Sequence, residues 1–252
     1  MPFRTRARVL LFESSMRTTL LVLCCVAGCN GGHPVGTAVA APPKRDLVTK
    51  VQEALERMHT RFEASRRLEQ AIAFGDLERA HVEARTIADL AEPEMLKEWQ
   101  PYVENTRAAA RQIMETKDLV AAAKLTASLG RTCAKCHEIG LVVLPKDPPP
   151  AAGTKLLSQM SSHQWAIRRM WEGLVAPSQE RWLDGARKLA DAPLTIVAQG
   201  DVPPDLAISD DVSRLRLYAK RAMIAKAPDE RVELYGDLLA TCVRCHAKIR
   251  DR

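Results

Sequence analysis

The stretch that decides the fold runs from Asp118 to His137 and reads DLVAAAKLTASLGRTCAKCH. Asp118 is a preferred residue at the start of a helix. Apolar residues then recur at the spacing of one helix face: Leu119, Ala122, Leu125 and Leu129. The stretch ends in Cys133-Ala-Lys-Cys136-His137. Because positions i, i+3 and i+4 share a helix face, it predicts a helix that presents two thiols and an imidazole side by side.

The same pattern occurs a second time, as Cys242-Val-Arg-Cys245-His246. Cys-x-x-Cys-His is the attachment pattern of c-type haem, in which two thiols form thioethers with one porphyrin and the imidazole ligates the iron. The chain has seven cysteines, and the other three lie within the first 29 residues. We therefore predict two covalently attached haems, held by Cys133, Cys136, Cys242 and Cys245, with His137 and His246 as iron ligands.

Three other uses of these cysteines remain open from the sequence. A Cys₄ zinc site requires both Cys-x-x-Cys pairs to converge and leaves the two histidines without a role. A thioredoxin-like redox pair belongs to a βαβ context, which the helical pattern does not offer. Two disulfides could form after export, but a bond between positions i and i+3 of a helix is poorly placed.

The chain also contains an internal repeat. Its first two predicted helices match the later chain after a shift of 102 residues, so that Met58 falls on Met160. The two Cys-x-x-Cys-His motifs are 109 residues apart, so the second copy has about seven extra residues, which we place in the Pro-rich stretch 192–205. The chain is therefore interpreted as a tandem duplication of one unit.

The sequence of each unit predicts four helices. The low content of aromatics (4%) and glycines (12 of 252 residues) argues against an all-β fold. Asp46 is expected to cap the first helix. The predicted helices lie at about 46–74, 76–90, 101–114, 118–137, 153–175, 179–191, 209–226 and 229–249. We expect an all-α fold of two tandem four-helix bundles, 46–144 and 153–252, joined by a Pro-rich linker at 145–152, each with a covalent haem near its last helix.

The N-terminus reads as an export signal over residues 1–28, in which Met16-Arg17 precedes a short apolar run. Val26-Ala27-Gly28-Cys29 resembles a bacterial lipobox, which implies cleavage before Cys29 and a lipid on that cysteine. The alternative is an ordinary secretory signal cut near 38–41. Residues 29–45 predict a flexible tether. Since Asn30 follows the cysteine, we expect anchoring on the periplasmic side, at the outer rather than the inner membrane.

Each unit resembles the cytochrome c-prime family, in which a four-helix bundle carries Cys-x-x-Cys-His on its last helix and encloses haem at one end. The ending His246-Ala-Lys-Ile-Arg250 is similar to the His-x-x-aromatic-Arg ending of that family, with isoleucine in place of the aromatic residue. The first copy departs from it, with His137-Glu-Ile-Gly140. The resemblance covers about residues 46–140 and 153–252.

The resemblance implies that the sixth ligand position of each iron faces the first helix of its unit. Met58 and Met160 have equivalent positions there, and a thioether is a soft ligand for haem iron, so both are expected as distal ligands. A methionine on an apolar helix face is also common core filler. His163 is the alternative at the second haem. All three histidines, His59, His81 and His163, are more often surface or hydrogen-bonded core residues than ligands.

Several function classes have no residues to support them. No nucleophile–base grouping, Gly-rich phosphate loop or carboxylate pair stands out, so a hydrolase or transferase has no residues to support it. Haem peroxidase or nitrite chemistry at an open site is a further alternative, but no His–acid or Arg–His distal grouping is recognisable, and we do not expect an enzyme. The net charge of +6 comes without a basic stripe interleaved with aromatics, so nucleic-acid binding is not expected. The predicted function is single-electron transfer between periplasmic redox proteins by a lipid-anchored dihaem c-type cytochrome. The alternative is a five-coordinate haem module that binds nitric oxide or carbon monoxide, as high-spin members of the resembled family do.

Overall fold

The computed structural model describes residues 44–91, 97–140, 142–145, 147–151, 153, 156–191 and 208–250. These residues form helices and connecting turns, with no strand among them, so the predicted all-α class is confirmed. The helices are α1 (Lys44–Ala73), α2 (Leu77–Asp89), α3 (Gln100–Glu115), α4 (Leu119–Gly140), α5 (Leu156–Val175), α6 (Gln179–Asp191), α7 (Ser209–Ile224) and α8 (Pro228–Arg250). The predicted leader, Cys29 and residues 29–43 of the predicted tether lie outside the described residues.

The helix bounds repeat with the offsets seen in the sequence. Both ends of α6 lie 102 residues after the ends of α2, and both ends of α7 lie 109 residues after the ends of α3. The offset therefore changes between α6 and α7, on either side of the stretch 192–205 in which the sequence predicts the extra residues. That stretch itself lies outside the described residues.

Local signals in the sequence set several helix ends. Gly75 has φ +75°, a conformation that glycine adopts without strain, and its N–H donates to the carbonyl of Ile72 at 2.9 Å. The Asp76 carboxylate accepts from the N–H of Arg79 at 2.9 Å at the start of α2. Asp118 caps α4 in the same way, accepting from the N–H of Ala121 at 2.6 Å.

The predicted cap of the first helix is wrong. Asp46 lies inside α1, which begins at Lys44. Lysine and arginine have high helix propensity, so Lys44 and Arg45 extend the helix beyond the residue whose side chain favours a cap. The helix therefore takes in the last two residues of the predicted tether.

The eight helices pack into one compact unit. Within each half, helices that follow one another in the chain pack together, and the first helix also contacts the fourth. The two halves meet where α4 lies along α8, and each of these helices also contacts the first helix of the other half: α5 packs on α4 and α1 packs on α8. The described part of the predicted linker is not helical, and Arg181 of α6 donates to the carbonyl of Pro145 at 3.2 Å.

Small residues allow the close approach between the halves. A Cβ at Gly130 of α4 would lie 2.7 Å from Cζ3 of Trp171, a fully buried side chain of α5. The ring of Trp171 in turn packs against the buried ring of Tyr235 on α8, and the two ring centroids are 5.6 Å apart. The contact of α4, α5 and α8 therefore depends on the absence of a side chain at Gly130.

None of the helices in the described ranges is long and apolar enough to cross a membrane.

We predict that Gly130→Ala destabilises the protein although alanine favours helices by about 1 kcal/mol. The added methyl would force the Trp171 ring to move, and overpacking a dense core costs about 1–3 kcal/mol. Urea unfolding should give a net loss of up to about 2 kcal/mol. The control is Ser128→Ala, an exposed site on the same helix, which should change stability by less than about 0.5 kcal/mol. A Gly130→Ala variant more stable than the parent would contradict this packing.

Candidate haem sites

The first Cys-x-x-Cys-His motif lines an apolar cleft. Cys133, Cys136 and His137 lie in the last turns of α4, and the cleft beside them encloses about 570 Å³, part of it open to solvent. Small-molecule and cofactor sites are usually concave and mostly apolar, as this cleft is. Met58 and Arg61 of α1 line the same cleft. The other lining residues are Phe62, Ser65, Ile87, Tyr102, Val103, Thr106, Leu129 and Val175.

A carbonyl from the other half of the chain holds His137. Its Nδ1 lies 2.7 Å from the carbonyl oxygen of Val175, at the end of α5. A carbonyl only accepts, so Nδ1 carries the proton and donates it. Burial lowers the pKa of His137, which favours the neutral ring. In a neutral ring with Nδ1 protonated, Nε2 has a free lone pair, which is the state of a histidine that ligates a metal.

The second motif has the reciprocal arrangement. Nδ1 of His246, on α8, lies 2.6 Å from the carbonyl oxygen of Ala73, at the end of α1. Ala73 and Val175 are 102 residues apart and the two histidines are 109 apart, so the two bonds are equivalent in the repeat. The ring of Phe74 stacks on His246 with centroids 5.3 Å apart and planes at 13°. Burial lowers the pKa of His246 as well.

Ion pairs fix the end of α8 around the second motif. Asp211 of α7 is 2% exposed and accepts from Nζ of Lys248 at 2.7 Å. Nε of Arg244 lies 3.7 Å from the same carboxylate. Arg250 donates to the carbonyls of Phe74 and Gly75, each at 3.1 Å. The arginine of the predicted family-like ending therefore binds the turn that follows the carbonyl of Ala73.

All four motif cysteines are free, and their surroundings favour the thiol over the thiolate. Burial raises the pKa of Cys133 to about 11 and that of Cys242 to about 12. Burial also raises the pKa values of Cys136 and Cys245. Raised pKa values disfavour nucleophilic or metal-ligating thiolates. A neutral thiol suits addition across a vinyl group, because sulfur bonds one carbon and the proton goes to the other.

The geometry argues against the other uses of the cysteines. No group of three or more His, Cys, Asp or Glu side chains in the described ranges is placed to hold a metal ion, so the two pairs do not converge on a Cys₄ site. A haem needs no such group, because the porphyrin supplies four ligands to its iron. The described part of the chain has no strand for a thioredoxin-like context and no disulfide between the motif cysteines.

The other sequence candidates fall into distinct surroundings. Met58 and Met160 are both half-buried. Met58 lines the cleft of the first motif, and Met160 lies on α5. His163 is buried on α5, and burial lowers its pKa to about 4, with a smaller effect of the charge of His246 in the same direction. His81 donates from Nε2 to the carbonyl of Thr116 at 3.0 Å, and His59 is exposed. His59 is therefore a surface residue, and His81 is a half-buried, hydrogen-bonded one.

The sequence analysis did not single out two buried polar side chains near the motifs. Arg61 lines the first cleft, and its place one turn after Met58 on the same face was the available signal. Glu69 of α1 is 6% exposed, and burial raises its pKa to about 7. Its charge also acts on Cys242. Nothing in the sequence around Glu69 indicates that α8 covers it.

The histidine bonds predict opposite tautomers within one chain. In haem-free protein at neutral pH, ¹⁵N NMR should find His137 and His246 protonated on Nδ1, because each donates to a carbonyl from that atom. His81 is the internal control and should be protonated on Nε2, from which it donates to Thr116. Protonation of His137 or His246 on Nε2 would contradict the arrangement described above.

Neither a family model nor a curated protein nor a solved structure matches the chain. The family resemblance therefore rests on the residues quoted above, and the assignment of the two sites rests on their geometry.

Proposed function

We propose that this chain is an exported, lipid-anchored dihaem c-type cytochrome that passes single electrons between periplasmic redox partners. In this proposal the two halves are tandem four-helix bundles, each with a haem bound covalently near its last helix. Cys133 and Cys136 attach the first haem, and Cys242 and Cys245 attach the second. Cys29 carries the lipid and confines the protein to the periplasmic face of the envelope, at the outer membrane.

The observation that carries the proposal is the pair of reciprocal histidine bonds. His137 and His246 each follow two thiols at i−4 and i−1, and each donates its Nδ1 proton to a carbonyl of the other half. A backbone carbonyl on Nδ1 fixes the ring orientation of a metal-ligating histidine and raises its basicity. A role in packing alone does not require the Nε2 lone pair to stay available beside two thiols, and both copies of the repeat have this arrangement.

Haem supplies the one-electron iron chemistry, and the residues of the chain hold and tune it. The thiols of each motif fix the porphyrin on one face of α4 or α8. The imidazole orients Nε2 towards the iron, and the apolar wall of the first cleft limits the access of water. Met58 lines that cleft with His137, so its sulfur is the distal ligand that we propose for the first haem.

The first helices relate the two sites. The helix rise places Met58 and Ala73 about 22 Å apart along α1. The middle of α1 therefore contributes to the cleft of the first motif, and its C-terminal end holds the histidine of the second. The first helix of the second half, α5, in turn holds the histidine of the first motif, because the carbonyl of its Val175 accepts from His137. This shared scaffold fixes the separation of the two haems, which a relay of electrons requires.

Haem content gives the direct test of the proposal. Expressed with a c-type maturation system, the protein should carry two haems per chain that survive acid–acetone extraction. The combined Cys133→Ala and Cys136→Ala variant should retain one haem, and a variant lacking all four motif cysteines should retain none. Intact mass and pyridine haemochrome absorbance measure the number. Parent protein with no covalent haem would overturn the proposal.

Truncation of Met58 tests the distal side of the first haem. Met58→Ala should convert one of the two haems to high spin, lower its potential and allow carbon monoxide to bind, because a thioether ligand raises the potential and fills the sixth position. Ile72→Ala is the matched control, a fully buried residue of the same helix outside the cleft lining. It should lose about 2–5 kcal/mol of stability without a change in spin state. High-spin iron at the first haem of the parent protein would instead support the gas-binding alternative.

A further inference from the structure

His163 has a buried ring nitrogen without a hydrogen-bond partner. It lies on α5, and its Nε2 is buried and finds no donor or acceptor among the described residues. A buried polar atom without a partner is unfavourable, and the few found in native structures usually indicate a bound group or a functional role. Tyr235 and Trp182, also deeply buried, both donate to backbone carbonyls. Nε1 of Trp171 is also buried without a partner, but an indole N–H only donates and cannot ligate a metal.

The charge of His246, the histidine of the second motif, acts on His163. Burial lowers the pKa of His163 to about 4, and the charges of His246 and Arg216 act in the same direction. His246 keeps the lone pair of its Nε2 available, because its Nδ1 donates to Ala73. The buried Nε2 of His163 likewise has no hydrogen-bond partner.

The repeat gives an independent indication that position 163 faces a haem site. Arg61 is the equivalent residue of the first half, and it lines the cleft of the first motif together with Met58. An arginine has no acceptor atom and stays protonated, so it cannot ligate iron. A histidine at this position can. The duplication has therefore placed a competent ligand in one copy and a non-ligating cation in the other.

The chemistry of the two side chains favours His163 over Met160 at the second site. An unligated methionine packs as an ordinary apolar residue, so leaving Met160 off the iron has little cost. An unligated imidazole leaves a buried nitrogen without a partner, and iron supplies that partner. Imidazole is also a common ligand of haem iron.

We propose that His163 is the distal ligand of the second haem, so that His163 and His246 form a bis-histidine site while the first haem is ligated by Met58 and His137. The inference rests on the proposed covalent haem at the second motif. Since methionine in place of histidine raises the potential of haem iron, the two haems differ in potential and the first is the higher. Electrons then pass from the second haem to the first.

The test uses full-length, haem-loaded protein in the oxidised state, with electron paramagnetic resonance and near-infrared magnetic circular dichroism. The parent should contain two low-spin haems. The intensity of its sulfur-to-iron charge-transfer band should correspond to one methionine-ligated haem per chain. His163→Leu should turn half of the iron high-spin. Met160→Leu, the matched control one turn earlier on the same helix, should leave both spectra unchanged.

A second variant covers failure of His163→Leu to fold or to load haem. His163→Met offers a ligand of similar size, and it should keep two low-spin haems, double the charge-transfer band and raise the lower of the two potentials in a redox titration. Three results overturn the inference: high-spin iron at the second haem of the parent, high-spin iron in Met160→Leu, or an unchanged spectrum in both His163 variants.

Failure of the inference and failure of the proposed function give different results. If mass spectrometry finds a haem on Cys242 and Cys245 but His163 does not ligate it, the ligation is wrong and the cytochrome proposal stands. If no haem is attached to those cysteines, the proposed function fails at this motif and the ligation fails with it.

Discussion

The hydrogen bond from Nδ1 of each motif histidine to a carbonyl of the other half is the constraint on which the arrangement depends. Val175 ends α5 and holds His137 on α4, whereas Ala73 ends α1 and holds His246 on α8. Each half therefore completes the site of the other. The packing of α4 along α8, which joins the eight helices into one compact unit, brings both donors to their acceptors. Two bundles joined only by a linker would leave both Nδ1 atoms without these partners.

The two halves have the same order of helices but differ in their buried polar side chains. Arg61 in the first half is replaced by His163 in the second, and Glu69 is replaced by Trp171. Glu69 has a raised pKa and acts electrostatically on Cys242, while Trp171 fills the space beside Gly130. A repeated scaffold thus supports two sites with different local charge. Such differences allow one fold to set two different potentials, since charge and burial around a haem shift its reduction potential.

The sequence was most informative where side chains act locally. The stop at Gly75 and the caps at Asp76 and Asp118 were predictable because each acts within one helical turn. The acceptors of His137 and His246 were not predictable, because a backbone carbonyl has no sequence signature. The packing of α4 against α8 was also not predictable from the sequence, because it depends on how closely the two backbones approach. At Gly236 of α8, for example, a Cβ would lie 3.2 Å from Cα of Lys124 on α4. Periodicity predicts which face is apolar, and it does not identify the helix that covers it.

Diffraction from haem-loaded crystals at the iron absorption edge would locate each iron relative to the motif histidines. We expect two iron peaks, one within bonding distance of Nε2 of His137 and one within bonding distance of Nε2 of His246. In the same map, Nδ1 of each ring should bond the carbonyl of Val175 or Ala73 from the other half. A single peak, a peak between the two cysteine pairs, or an iron bonded to Nδ1 of either histidine would contradict this expectation.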